Sequence, residues 1–166
     1  MYRGSAFLLQ YAYTAHLGVI DSLSVPQFLP LWKTEFGSDD GDSHLIPVIE
    51  SAIQAIKQAY SQFGAPTDTL ITKIILGTFA CLPACDGYFV AGFKSQGLKY
   101  SCLNTRFIRR ARQFCADNIV VLREEQRRIR EQTGVHYPLM KLIDMYFWQT
   151  GYDGTSTTNL GSGPAE

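Results

Sequence analysis

Residues 43–64, SHLIPVIESAIQAIKQAYSQFG, carry the clearest structural pattern of the chain. Apolar side chains recur there at intervals of three and four residues, at Leu45, Ile49, Ala52, Ile53, Ile56, Ala59, Tyr60 and Phe63. This spacing places them on one side of an α-helix, because the helix turns once in about 3.6 residues. Ser43 is expected to cap the helix, and Gly64 follows its end. The segment therefore predicts an amphipathic helix that turns one face to a core.

Helical patterns cover most of the remaining sequence. We expect helices at 5–17, where Gly18 would end the helix, near 28–36, at 67–82 and near 88–93. A long helix is expected at 103–131 and a last one after Pro138, ended by Gly151. No segment alternates like a strand. The sequence predicts an all-α fold, a compact single-domain bundle of six or seven obliquely packed helices in residues 1–153. Residues 154–166, rich in Gly, Ser and Thr, are expected to form a disordered tail.

Length and charge narrow the classes of function. The chain has 166 residues, about one domain, and its fifteen basic and fifteen acidic residues cancel. A preference for nucleic acid must therefore come from uneven placement of charge. Polar residues interrupt the N-terminal stretch, so it does not read as a signal peptide. No run reaches the roughly 18 apolar residues of a spanning helix. We expect a cytoplasmic protein that does not enter a membrane.

The cysteines and histidines do not have the spacing of a metal site. The four cysteines are Cys81, Cys85, Cys102 and Cys115. Zinc sites use paired cysteine knuckles or Cys and His at short fixed intervals, which are not found here. We therefore expect buried free thiols, no metal and no cofactor. The sequence also has no P-loop, no dinucleotide glycine motif and no ordered Ser-His-Asp set, which argues against nucleotide-binding and hydrolase functions.

A row of arginines follows the predicted helix at 103–131. On one unbroken helix they fall in a strip about 60° wide that holds no acid and spans about 30 Å. Such a row suits phosphate contacts, since each guanidinium group can donate two hydrogen bonds to one phosphate. The alternative is a solvated helix face with ion pairs such as Glu124 with Arg128 and Arg127 with Glu131. Asn118 is a candidate break in this helix. The strip comprises Arg109, Arg112, Arg123, Arg127 and Arg130.

Two further segments carry a lysine and an aspartate in a suggestive arrangement. The first, TKIILG at 72–77, places the lysine on an apolar helix. The second, LPACDGYF at 82–89, places the aspartate after a proline at the start of the next helix. This arrangement resembles the helix-hairpin-helix DNA glycosylases, the 8-oxoguanine type included. The resemblance implies that Lys73 is a nucleophile toward the sugar and that Asp86 orients it. It also implies a pocket for a flipped base. The aromatic residues expected to line that pocket are Tyr88, Phe89, Tyr146 and Trp148.

A purely structural interpretation of the same residues stays open. Asp86 would cap the helix that follows it, and Lys73 would extend from an apolar helix to solvent. Lys141 and Asp144 would form an i,i+3 pair in a core helix. Residues 68–72, DTLIT, stand where the family has a Gly-x-Gly turn.

Two functional hypotheses follow. In the first, the protein associates with DNA, either as a glycosylase/lyase-like enzyme or as a non-catalytic relative that binds DNA. In the second, it is a non-enzymatic helical module whose apolar and aromatic surfaces bind another protein. The sequence leaves open whether the protein is an enzyme.

Overall fold

The computed structural model of the chain describes residues 13–37 and 40–159, and within these ranges it contains α-helices and short 3-10 turns but no strand. The all-α prediction is confirmed, and the helices pack into one compact body. The described residues form eight α-helices, more than the six or seven expected, because the long helix at 103–131 is divided and because a helix at 17–23 begins where the first expected helix was to end. They are α1 Leu17–Leu23, α2 Leu29–Lys33, α3 Ile46–Tyr60, α4 Asp68–Thr78, α5 Gly87–Ser95, α6 Thr105–Asp117, α7 Ile119–Thr133 and α8 Leu139–Asn159.

Helix α3 supplies much of the core, as its sequence pattern predicts. Its buried residues are Ile46, Ile49, Ala52, Ile53, Ile56 and Tyr60. The helix packs against α1, α4 and α6. Its start differs from the expected one: Ser43 lies in a 3-10 turn, Asp40–Leu45, and Leu45 occupies the cap position.

Three side-chain caps fix where the central helices begin. Thr67 accepts a hydrogen bond from the Leu70 amide (3.2 Å) at the start of α4. Asp86 accepts from the Phe89 amide (3.0 Å) at the start of α5. Asn104 accepts from the amide of the third α6 residue (3.0 Å). Each cap satisfies an amide that has no partner inside its helix. Two of the three, Thr67 and Asp86, were expected as helix starts from the sequence.

Two glycines that the sequence analysis places at helix ends lie inside helices. Gly18 is the second residue of α1, and residues 1–12 of the expected first helix lie outside the described residues. Gly151 lies within α8, which continues to Asn159. The first part of the expected tail, 154–159, is therefore helical, and residues 160–166 lie outside the described part of the chain.

The physical reason for Gly151 is the contact between α5 and α8, the most extensive helix pair of the fold. A Cβ atom on Gly151 would lie 1.9 Å from the Tyr88 carbonyl oxygen. A Cβ atom on Gly92, across the contact, would lie 2.0 Å from the Phe147 carbonyl oxygen. Only glycine lets the two backbones approach this closely. Gly151 therefore serves helix packing and not helix termination.

The expected long helix at 103–131 breaks at Asn118, the candidate break named above. Helix α6 ends at Asp117 and α7 begins at Ile119. The Asn118 side chain donates to the Phe114 carbonyl (2.8 Å), so it satisfies an α6 carbonyl locally, as asparagine often does at helix ends. The arginines expected in one strip consequently lie on two separate helices.

Glu35 anchors α7 and the start of α8. Its carboxylate accepts hydrogen bonds from Gln126 Nε2 (2.7 Å), the Leu139 amide (3.0 Å) and Arg123. Gln126, one of only two buried residues on α7, also donates to the Tyr137 carbonyl (2.7 Å). This network holds α7 in place through polar side chains near the middle of the helix. Much of the apolar surface of α7 remains exposed to solvent.

The cysteines are all free, and three of the four are buried as expected. Burial raises the pKa of Cys81, Cys85 and Cys115 to about 12. Cys102 is exposed, contrary to the expectation for all four. It lies just before Asn104, in the segment that connects α5 to α6. Among the described residues no helix has both the length and the apolar character needed to cross a bilayer.

A groove between helices α4, α7 and α8

The described residues form an open groove of about 1300 Å³. Its walls come from α4, the end of α6, α7 and α8. The apolar lining includes Leu76, Phe114, Val121, Leu122, Ile129, Leu142, Met145, Tyr146 and Trp148. The charged lining comprises Lys73, Asp86, Glu125, Lys141, Asp144 and Asp153. The groove thus combines an apolar interior with charged groups, four of them acidic and two basic.

The segment between α4 and α5 places Asp86 at this groove, and side chains of neighbouring helices hold the segment in place. The Cys85 amide donates to Thr72 Oγ1 (2.8 Å), and Thr69 Oγ1 donates to the Cys85 carbonyl (2.7 Å). The Ala84 amide donates to Asp144 Oδ1 on α8 (2.9 Å). Because the backbone on the N-terminal side of Asp86 is fixed at these points, the position of its carboxylate is set by α4 and α8 together.

The structure brings Lys73 and Asp86 together. Lys73 Nζ lies 3.9 Å from Asp86 Oδ2, and the two side chains are 54% and 23% exposed. Asp86 at the same time caps α5, as the structural interpretation of the sequence expects. The pair therefore forms an exposed ion pair on the groove wall.

A second lysine–aspartate pair lies beside the first. Lys141 Nζ is 2.9 Å from Asp144 Oδ2, which confirms the i,i+3 pair expected from the sequence. Asp144 is buried, and its other oxygen binds the Ala84 amide. Sequence reasoning missed this second role, because a contact between α8 and the α4–α5 segment leaves no local signal. Asp144 is a positioning residue for the segment that carries Asp86.

The four expected pocket aromatics are distributed over three environments. Tyr146 and Trp148 line the groove, and Tyr146 stacks on Phe114 (ring centroids 6.0 Å apart). Tyr88 is not part of the lining but packs edge-on against Trp148 (5.2 Å). Phe89 is fully buried against Phe93 and two other core phenylalanines, so it cannot line a ligand site. Two of the four therefore have the position that a pocket wall requires.

The arginine strip does not form the continuous surface expected from one helix. Arg112 is 13% exposed and paired with the buried Asp42, and Arg123 is paired with Glu35. Arg127 pairs with Glu124 (3.7 Å), and Arg128 pairs with Glu125. These i,i+3 pairs replace the expected i,i+4 pairs. Arg109 and Arg130 are exposed, on α6 and α7 respectively.

The wall formed by α7 carries exposed apolar surface. Val121 is 68% exposed. It lines the groove with Leu122, Glu125 and Ile129, which share one side of α7. On the facing helix Met145 and Tyr146 are 42% and 47% exposed. Exposed apolar side chains on facing helices are a feature of interaction sites.

Comparisons with protein-family models, with curated proteins and with solved structures find no match to this chain. The groove is therefore interpreted from its geometry alone. The resemblance to the helix-hairpin-helix glycosylases remains a prediction.

Proposed function

We propose that this protein is a helical interaction module whose groove binds an amphipathic helix of another protein. The observation that carries the proposal is the groove itself, with exposed Val121 on one wall and Met145 and Tyr146 on the facing wall. Its volume of about 1300 Å³ exceeds the roughly 300 to 1,000 Å³ of small-molecule sites. Helix-in-groove binding needs an elongated apolar cleft of this kind.

The dimensions of the groove suit a helix of about three turns. Its α8 wall runs from Lys141 to Asp153, a rise of about 18 Å. A bound helix of about 12 residues has the same length. The apolar lining would receive the apolar face of that helix.

The charge of the lining indicates the chemistry of the partner. Four carboxylates and two ammonium groups line the groove. Both lysines are paired with Asp86 and Asp144, and Arg128 is paired with Glu125, so these groups together hold one carboxylate more than they hold cations. The excess negative charge favours a helix whose apolar face is flanked by Lys or Arg. A partner flanked by acidic residues would meet like charges.

A fluorescence-anisotropy titration with two synthetic peptides tests this proposal. One is an amphipathic Leu/Lys helix of about 18 residues, long enough to be helical by itself, and the other is its Leu/Glu counterpart. We expect saturable binding of the Leu/Lys peptide and weaker binding of the Leu/Glu peptide. Val121→Asp should weaken Leu/Lys binding by about ten-fold or more, since losing a buried valine contact costs about 1.5 kcal/mol and leaves a buried charge.

Val120→Asp is the matched control. Val120 is the preceding residue of α7 and is 76% exposed, but it does not line the groove. The control substitution introduces the same negative charge one position away from Val121. Equal binding by the parent and both variants would contradict the proposal, as would equal losses in both variants.

A second candidate function rests on one specific observation, the 3.9 Å distance between Lys73 and Asp86 beside Tyr146 and Trp148. We propose as the alternative that the protein processes a DNA base in the manner of the glycosylases. The Lys73 ammonium group would first lose a proton to solvent. Its amine would then add to the sugar C1′ while the base departs with the bonding electrons and takes up a proton. Asp86 would stabilise the positive charge that develops on the sugar.

Borohydride trapping on damaged DNA tests this alternative. Hydride reduces the Schiff base formed after ring opening and leaves a covalent protein–DNA adduct. The adduct should vanish in Lys73→Gln. Asp86→Asn should slow its formation, and asparagine caps a helix about as well as aspartate, so the fold is preserved. If a broad panel of lesions gives no adduct with the parent protein, the base-processing function is rejected.

A further inference from the structure

The exposed side of α6 carries a second charged surface, separate from the groove. Arg106, Arg109, Arg110 and Gln113 fall within about 100° of one another around the helix axis. With Thr105 they line a shallow depression of about 530 Å³. We call these four residues the α6 face. Only Arg109 belongs to the arginine strip expected from the sequence.

The arginines of the α6 face differ in their partners from four of the five other arginines in the described residues; the fifth, Arg130 on α7, likewise has no carboxylate in ion-pair contact. Arg112, Arg123, Arg127 and Arg128 each pair with a carboxylate. Within residues 13–37 and 40–159 no carboxylate lies in ion-pair contact with any arginine of the α6 face. Arg110 donates to the Lys99 carbonyl, which leaves its charge uncompensated. In a chain of zero net charge, three such cations on one helix face are a local concentration of positive charge.

Two carboxylates mark the ends of this surface. Glu50 accepts a hydrogen bond from Thr105 Oγ1 at the start of α6. Asp117 accepts from Gln113 Nε2 (2.7 Å) at its end. The α6 face is therefore confined to about two turns, a rise of about 10 Å from Arg106 to Gln113, and its three arginines lie within about 6 Å of that rise.

From these observations we propose that the α6 face binds the sugar-phosphate backbone of a nucleic acid. Its rise of about 10 Å corresponds to about three phosphates, since one strand of duplex DNA places a charge every 3.4 Å of helix axis. Arginine donates two hydrogen bonds to a phosphate, and Gln113 adds an uncharged donor, the amide hydrogen that does not bind Asp117.

The composition of the face favours nucleic acid over a lipid surface. Helices that lie on membranes place apolar side chains beside the basic ones and insert them among the lipids. The apolar residues of this part of α6, Phe107, Ile108 and Ala111, are buried in the protein core. The α6 face thus offers charge and hydrogen-bond donors without an inserting group.

The test measures anisotropy of a short fluorescein-labelled DNA duplex, and of its single strand, between about 50 and 200 mM salt. Changing Arg106, Arg109 and Arg110 together to Gln should lower affinity about ten-fold or more. It should also reduce the slope of log affinity against log salt by about 2 to 3, at 0.9 for each lost contact on duplex DNA. Changing the same three arginines to Lys should retain most of the binding, because lysine still meets phosphate as a point charge.

The matched control changes Arg127, Arg128 and Arg130 of α7 together to Gln, with the same loss of charge. It should keep most of the affinity and slope. Equal losses in the two triple variants would show that net charge alone governs binding and would overturn the proposal. The proposal would also be overturned if the parent protein bound neither the duplex nor the single strand. Binding to vesicles of anionic lipid without binding to DNA would overturn it as well.

If the triple Gln variant does not fold, Arg106→Gln and Arg109→Gln alone decide the question. Each should lower the slope by about 0.9. An unchanged slope in both would overturn the proposal. The outcome is independent of the groove, since peptide binding should be the same in the parent and in every α6 variant.

Discussion

Replacing Gly151 by Ala should destabilise the fold through the contact between α5 and α8. The added Cβ would lie 1.9 Å from the Tyr88 carbonyl oxygen and 2.8 Å from the Gly92 backbone nitrogen. Both obstacles are backbone atoms, so no side-chain rotation relieves them. The two helices must separate, and the packing between them must change along the contact.

The expected magnitude combines two opposing effects. Overpacking of a tight interior contact costs up to about 3 kcal/mol, and more when backbone must move. Alanine regains about 1 kcal/mol of helix propensity over glycine. We therefore expect a net loss of about 2 kcal/mol or more in the free energy of unfolding. For a chain of this size that loss lowers Tm by about 4 to 8 °C.

Urea unfolding followed by far-UV circular dichroism gives the free energy, and Gly154→Ala supplies the matched control. Gly154 lies one turn further along α8, and a Cβ there would meet nothing within 4 Å. This variant should gain up to about 1 kcal/mol. A Gly151→Ala protein as stable as the parent would refute the reasoning. Adding Gly92→Ala to Gly151→Ala should cost less than Gly92→Ala alone, since both residues serve one contact.

Three further outcomes follow from the described contacts. Only Cys102 should react rapidly with a thiol reagent at pH 8, because burial raises the pKa of Cys81, Cys85 and Cys115 to about 12 and keeps them protonated; rapid labelling of more than one thiol in the folded protein would contradict this. Asp144→Ala should lower the free energy of unfolding in urea by about 1 to 3 kcal/mol, because it leaves the Ala84 amide without its acceptor. Asp144→Asn should lower it by less. Equal losses in the two variants would argue against the hydrogen bond. Ala80→Gly should be neutral or stabilising by up to about 1 kcal/mol, since Ala80 has a φ of 53°, and a marked loss of stability would count against strain there.

The sequence determined the helical class and much of the core by itself. The three- and four-residue spacing in α3 identified Ile49, Ile53 and Ile56 as buried, and all three are. Asp86 was recognised as a candidate cap and caps α5. These features depend on residues within a turn or two of one another. Local periodicity and cap chemistry are therefore enough to specify them.

Only the tertiary structure decided the role of Gly151, the exposure of Val121 and the second function of Asp144. The roles of Gly151 and Asp144 depend on elements that are remote in sequence, α5 and the α4–α5 segment respectively. Val121 is exposed because the packing of the helices leaves that side of α7 uncovered. The arginines show the same division. The sequence showed where the arginines lie on their helices. Arg112 is neutralised by Asp42 and Arg123 by Glu35, and both carboxylates come from distant parts of the chain. A helical pattern specifies which residues share a face, and the packing of helices determines what that face meets.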